Sequence, residues 1–302
     1  MTTAYLIQAA ATIAAAFALY ALMLRRKGQE IRLAGLGMIL CTALGLAAAK
    51  LFYVVLLQLD YIVEWGEWEV LWDLDPKRLC FVGGAVGVWL GIRLTARILK
   101  TEPRAALDTF AVPGALLVAG LRLAEGRLGK LGAGALVEGT GFFTGAPFTV
   151  TDSWGDRYLA VFFLEAAVAL LIAIYAWRMR EDRTGVRFEK TVFALALCQV
   201  LLENLRNQAM KWGFVYVEQI LCAVILMALL LMACVRREGG RARFLPAAWM
   251  LLCMGGVVGE EFARQKGSSE ALADLGYWMM GAILILMAWI YGHAIRKEKL
   301  PD

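Results

Sequence analysis

The stretch "LRLAEGRLGKLGAGALVEG", residues 121–139, sets Arg122, Glu125, Arg127 and Lys130 among glycines directly after an apolar run. An arginine on such a turn offers a planar fork suited to a phosphate, and Gly126, Gly129, Gly132 and Gly134 would let backbone amides approach the same anion. More ionisable residues lie inside or at the ends of apolar runs: Lys50, Glu165, Glu203, Arg206, Glu260, Glu261 and Arg264. A charge inside a bilayer costs on the order of 3 kcal/mol or more, so each needs a partner or a purpose. Three Glu/Arg pairs recur at a spacing of three: Arg122 with Glu125, Glu203 with Arg206, and Glu261 with Arg264. On a helix that spacing shares one face and allows pairing. Taken singly, each of these residues could snorkel to the headgroups. As a set they point to a polar chamber opening outward.

The elements that must position them follow from composition. The chain has 302 residues, 61% of them hydrophobic, and a formal net charge of +5. That apolar fraction excludes an ordinary soluble domain. The apolar residues fall in blocks close to the ~20 residues a helix needs to cross a bilayer. Backbone groups in lipid must be paired within their own segment, so these blocks are helices of a polytopic all-α membrane protein. The first block has no basic residue before it and Arg25-Arg26-Lys27 after it, the reverse of a cleaved signal, and reads as a retained span. Cys41, Cys80, Cys198, Cys222, Cys234 and Cys253 lie within or at the ends of apolar blocks without a CxxC pair, and read as structural thiols. His293, the lone histidine, ends the last block and reads as satisfied or solvated. No metal site, cofactor or nucleic-acid partner is expected.

Basic residues alternate between the connections. Residues 25–32, 93–104, 178–190, 236–243 and the tail from 296 are rich in Lys and Arg. The connections at 57–77, about 126–157, 207–216 and 265–275 are poorer. Retention of basic residues on the cytoplasmic side gives an outside N-terminus, an inside C-terminus and nine spans. These are expected near 4–24, 33–56, 79–99, 108–125, 158–177, 188–205, 215–235, 244–261 and 276–295. "DYIVEWGEWEVLWDLD" in the first outer loop reads either as an interfacial helix at headgroup depth or as a capping loop whose tryptophans anchor its neighbours. In "LCFVGGAVGVWLGIRL", Gly83, Gly84 and Gly87 clear one helical face, for close helix packing or for ligand contact.

In this order, these pieces resemble the prolipoprotein diacylglyceryl transferase family over about residues 5–238. "LAAAKLFYVVL" is similar to the family's second helix, with Lys50 at an arginine position and Tyr53 at a tyrosine. "CFVGGAVGV" is similar to its Phe-His-Gly-Gly segment, and "EGRLGKLGAG" to its Gly-Arg-x-Gly-Asn-Phe signature, with Arg127 on the essential arginine. "VLLENLR" and "VEQIL" match the helix ending Val-Glu-Phe-Phe-Arg and the following Gly-Gln-Ile-Leu, which places Glu203, Arg206 and Gln219 at family positions. Departures accompany the matches. Val82 stands for a histidine, Lys130 for an asparagine, Ala135 for a glutamate and Gln199 for an arginine; Leu195 replaces a tyrosine, and the loop between the fourth and fifth spans is short.

The resemblance implies a seven-helix core at 1–240 in a bacterial cytoplasmic membrane; outside it lies an additional C-terminal hairpin at 241–302. "VVGEEFARQKG…" repeats the pattern of "VLLENLRNQAM…", so the hairpin reads as a duplicate of spans six and seven. It further implies transfer of diacylglyceryl from phosphatidylglycerol to a cysteine thiol of a prolipoprotein signal peptide. Arg127 and Glu203 would be the catalytic pair. Lys50, Tyr53, Gly83, Gly84, Arg122, Gly126, Gly129, Gly134, Arg206 and Gln219 would contact substrate. With Val82 in place of histidine, a second reading stands beside it: the fold and lipid chamber without the chemistry, in a lipid- or lipopeptide-binding membrane protein.

Overall fold

Long runs rich in Leu, Ala, Val and Ile produce the helices, some with interior glycines and one with an interior proline, Pro113, and charge clusters with Gly or Pro end most of them. The computed structural model describes residues 3–138, 144–180, 183–207, 210–212, 215–237, 240–266 and 270–296. Its helices are α1 (Thr3–Arg26), α2 (Arg32–Tyr53), α3 (Leu59–Trp65), α4 (Phe81–Ile98), α5 (Pro103–Glu125), α6 (Val161–Arg178), α7 (Val186–Glu203), α8 (Val217–Val235), α9 (Leu245–Lys266) and α10 (Glu270–Arg296). Two short antiparallel ribbons interrupt them: β1 (Thr149–Thr151) with β2 (Arg157–Leu159), and β3 (Lys211–Trp212) with β4 (Val215–Tyr216).

Among the described residues eight helical segments are long and apolar enough to cross a bilayer, so the protein is an all-α, multi-pass membrane protein by composition and length. The expected sixth span corresponds to α7. At 18 residues it is long enough, but Arg187, Glu189, Lys190 and Glu203 make it more polar than the eight.

The chain forms two compact units. One comprises Met1–Val192 with Leu205–Ala209; the other comprises Phe193–Asn204 with Met210–Asp302.

In the first unit, α2 and α4 pack backbone to backbone. A Cβ at Gly87 would come within 2.2 Å of the Leu44 carbonyl oxygen, and one at Gly91 within 2.7 Å of Cys41 Sγ. Glycine is required there for the approach itself. The core continues through Phe17, Tyr20, Leu24, Ile92 and Phe110. Phe110 meets Tyr20 edge-on at 5.2 Å, and the Tyr20 hydroxyl donates to the Ala106 carbonyl. α2 runs on through a π-helical turn at Val54–Gln58 into α3, which ends on left-handed Gly66. In the second unit Leu226, Leu230, Met250, Met280 and Met287 are fully buried, and Phe193 stacks on Tyr291 at 3.7 Å.

Candidate functional site

Arg122 and Glu125 lie one turn apart at the end of α5, and Arg122 Nη1 meets Glu125 Oε1 at 2.7 Å. Beyond Glu125 the chain tightens into a 3₁₀ stretch, Gly126–Gly132, broken at Gly129 (φ 68°, ψ −121°). It then runs extended. Gly134 N–H donates to Leu159 O, and Asn207 N–H donates to Ala133 O. The second of these bonds ties the 205–207 segment to the glycine-rich stretch and brings Arg206 alongside α5. Arg206 Nη2 meets Glu125 Oε2 at 2.6 Å, and Nη1 meets Glu165 Oε2 at 2.8 Å. Glu165, in the first turns of α6, also faces Arg122 Nε at 3.4 Å.

The result is a closed ring, Arg122–Glu125–Arg206–Glu165, with two positive and two negative charges. Its members are nearly solvent-free, from 2% exposed for Arg122 to 13% for Glu125. Phe81 of α4 lies under the Arg122 guanidinium at 3.7 Å. Alternating signs and charge-assisted hydrogen bonds make such burial tolerable. Both arginines are already engaged by carboxylates.

Arg127 is set differently. It is exposed on the glycine-rich stretch, and its Nε donates to Gln8 Oε1 of α1 at 3.0 Å. Lys130, three residues on, clamps this stretch to the first ribbon. Its ammonium contacts Asp152 Oδ2 at 2.7 Å and the Tyr158 hydroxyl at 2.9 Å. The Lys130 hydrogen bond holds the Asp152 carboxyl below the usual carboxylate range.

The glycines chiefly serve packing. A Cβ at Gly126 would meet the Phe162 ring at 2.6 Å, and one at Gly134 would meet Leu205 O at 2.4 Å. A Cβ at Gly83 would meet Phe52 at 2.7 Å, and one at Gly84 would meet Ala49 at 3.5 Å. Gly129, in contrast, has open space around it and needs glycine for its positive φ. Lys50 is buried; it donates to Asp73 O at 2.5 Å and lies 5.3 Å from the Tyr53 ring centre. Gln58 in the π-helical turn reaches the Tyr53 hydroxyl at 3.5 Å. Buried Val82 occupies the position where the resemblance has a histidine.

In the second unit Glu203 accepts from Gln199 Nε2 at 2.9 Å, one helical turn away. Gln219 Nε2 donates to Val200 O at 2.8 Å. α7 stops at Glu203, so the single helical face expected for Glu203 and Arg206 is not formed. Glu260 is buried, whereas the side chains of Glu261 and Arg264, the third expected pair, lie outside the described residues.

Sequence reasoning named Glu165 as an ionisable residue at depth but gave it no place in the site, and it missed Phe81 and Gln8. The one available signal was a lone carboxylate in the apolar run of α6. No known family's model matches this chain, and no curated protein matches it in sequence.

Proposed function

We propose that this chain is a multi-pass protein of a bacterial cytoplasmic membrane that binds the headgroup of a phosphatidylglycerol-like phospholipid through Arg127. It does so on a divergent diacylglyceryl-transferase-like scaffold, a seven-helix core extended by the α9–α10 hairpin. The N-terminus is outside and the C-terminus inside, with α7 as the sixth of nine crossings. The alternation of basic connections supports that topology, because 178–190 and 236–243 fall on one side only if α7 crosses.

One observation carries the headgroup reading: Arg127 is exposed on a glycine-rich stretch with open space at Gly129, just beyond the buried ring that holds Arg122 and Arg206. A guanidinium so placed can meet a phosphate with paired N–H donors. The ring fixes the end of α5, and with it the starting point of the turn that displays Arg127.

The test is photolabelling in nanodiscs with a phosphatidylglycerol carrying a diazirine on its headgroup. Wild type is expected to be labelled within residues 126–132, and Arg127→Ala to lose that label. Equal labelling of the two would refute the reading.

A second reading, diacylglyceryl transfer, draws support from Glu203, a buried carboxylate held by Gln199 at a family position. In that reaction a signal-peptide thiol gives up its proton, and Glu203 is the candidate acceptor. The sulfur then bonds to the glycerol carbon as the carbon–oxygen bond to phosphate breaks, releasing glycerol phosphate. Transfer from labelled phosphatidylglycerol to a lipobox peptide, lost in Glu203→Gln, separates this reading from binding alone.

A further inference from the structure

The second unit contains a cavity of about 220 Å³ in its own helical packing. Its lining comes from Val200 of α7, Ile220, Ala223 and Leu226 of α8, Met254 and Val257 of α9, and Met287 of α10, with Gln219 the one polar side chain. On α8 the lining positions follow i, i+1, i+4 and i+7, a single stripe of the helix, and on α9 they follow i, i+3 and i+4. The Gln219 amide is committed to Val200 O, so the cavity offers an occupant almost nothing but hydrocarbon and thioether surface. Val258 also lines it and is 40% exposed, so the cavity reaches the outer surface of α9.

We infer that this cavity binds one alkyl chain of a membrane lipid. Three facts select that occupant. First, α8, α9 and α10 contribute three of the segments apolar enough to span a bilayer, and Val258 lies inside the α9 segment, two residues from its end at Glu260, so the opening meets acyl chains near the edge of the bilayer core. Second, the volume is too small for a helix, whose diameter with side chains is about 10 Å, yet an apolar cavity of roughly 150 Å³ already takes a small hydrocarbon ring. Third, two flexible methionines line it, and Met adapts to chains of varying shape. The site stands on the second unit alone and uses neither Arg127 nor the charge ring.

The experiment reconstitutes the full chain in nanodiscs with a phosphatidylcholine carrying a diazirine near the end of one acyl chain. Label is then mapped residue by residue. Met254, Val257 and Met287 are expected to label above Leu171, an exposed residue inside the apolar α6 that serves as the reference for bulk contact. Ala223→Phe, which fills the cavity from α8, should bring those three down to the Leu171 level, and Val257→Phe should do the same from α9 if the first variant fails to fold. Arg127→Ala should leave the pattern unchanged, which keeps this test separate from the headgroup test. Wild-type labelling no higher than at Leu171, or labelling that survives both fillings, would overturn the site.

Discussion

Arg206 is held by two carboxylates that no local spacing connects to it, Glu125 and Glu165, which are 81 and 41 residues away. That separation explains what could and could not be read from the sequence at this scale. The Arg122–Glu125 pair was legible because α5 runs through both residues, so the i,i+3 rule applies. The matching inference for Glu203 and Arg206 failed because α7 stops at Glu203 and the chain turns before Arg206. Removing one member of a buried pair leaves an uncompensated charge, at a cost of about 3–5 kcal/mol. Glu165 serves both arginines, so Glu165→Ala is expected to fall in that range, seen as a marked drop in melting temperature in detergent. Replacing all four ring residues by apolar ones of similar volume should recover most of it. An unchanged melting temperature in Glu165→Ala would mean that the ring does not hold these elements together.

The same division holds for the elements. Helix existence and approximate extent followed from apolar blocks, and the glycine face of α4 was visible as Gly83, Gly84 and Gly87 in one run. Its partner was not, because small residues announce close approach without naming what approaches; the structure supplies Leu44, Gly45 and Ala48 of α2. The ribbons were not legible either, being two or three residues long in connections whose pairing is set by the helices they join. The α2–α4 contact separates the glycines sharply. A methyl at Gly84 meets Ala49 and Gly45 at ordinary contact distances, whereas one at Gly87 meets the Leu44 backbone at 2.2 Å. Gly84→Ala is therefore expected to melt near wild type. Gly87→Ala should lose about 1–3 kcal/mol or more, since backbone cannot yield as a side chain can. Similar melting of both variants would show that α4 slides freely on α2.

For the whole molecule, the number of crossings turns on α7. If α7 crosses, the connections around Gly28 and Arg241 lie on one side and Trp154 on the other; if it does not, Gly28 and Arg241 lie on opposite sides. Single cysteines at 28, 154 and 241, in a background lacking the native six, report this with a membrane-impermeant maleimide. Trp154→Cys, at a position 87% exposed, should label from outside intact cells, and Gly28→Cys and Arg241→Cys only after permeabilisation. External labelling of Arg241→Cys would remove α7 from the spans. Charge alternation is what supports nine crossings, while the polarity of α7 leaves that one crossing beyond what hydropathy decides.

The proposed function rests on the headgroup contact assigned to Arg127. Its direct measure is the amount of labelled phosphatidylglycerol that copurifies with wild type, Arg127→Lys and Arg127→Ala after identical detergent washing. Retention should fall about tenfold in Arg127→Ala, equivalent to the ~1.4 kcal/mol of a lost charged contact, with Arg127→Lys between. Equal retention by all three proteins would show that Arg127 does not hold the lipid.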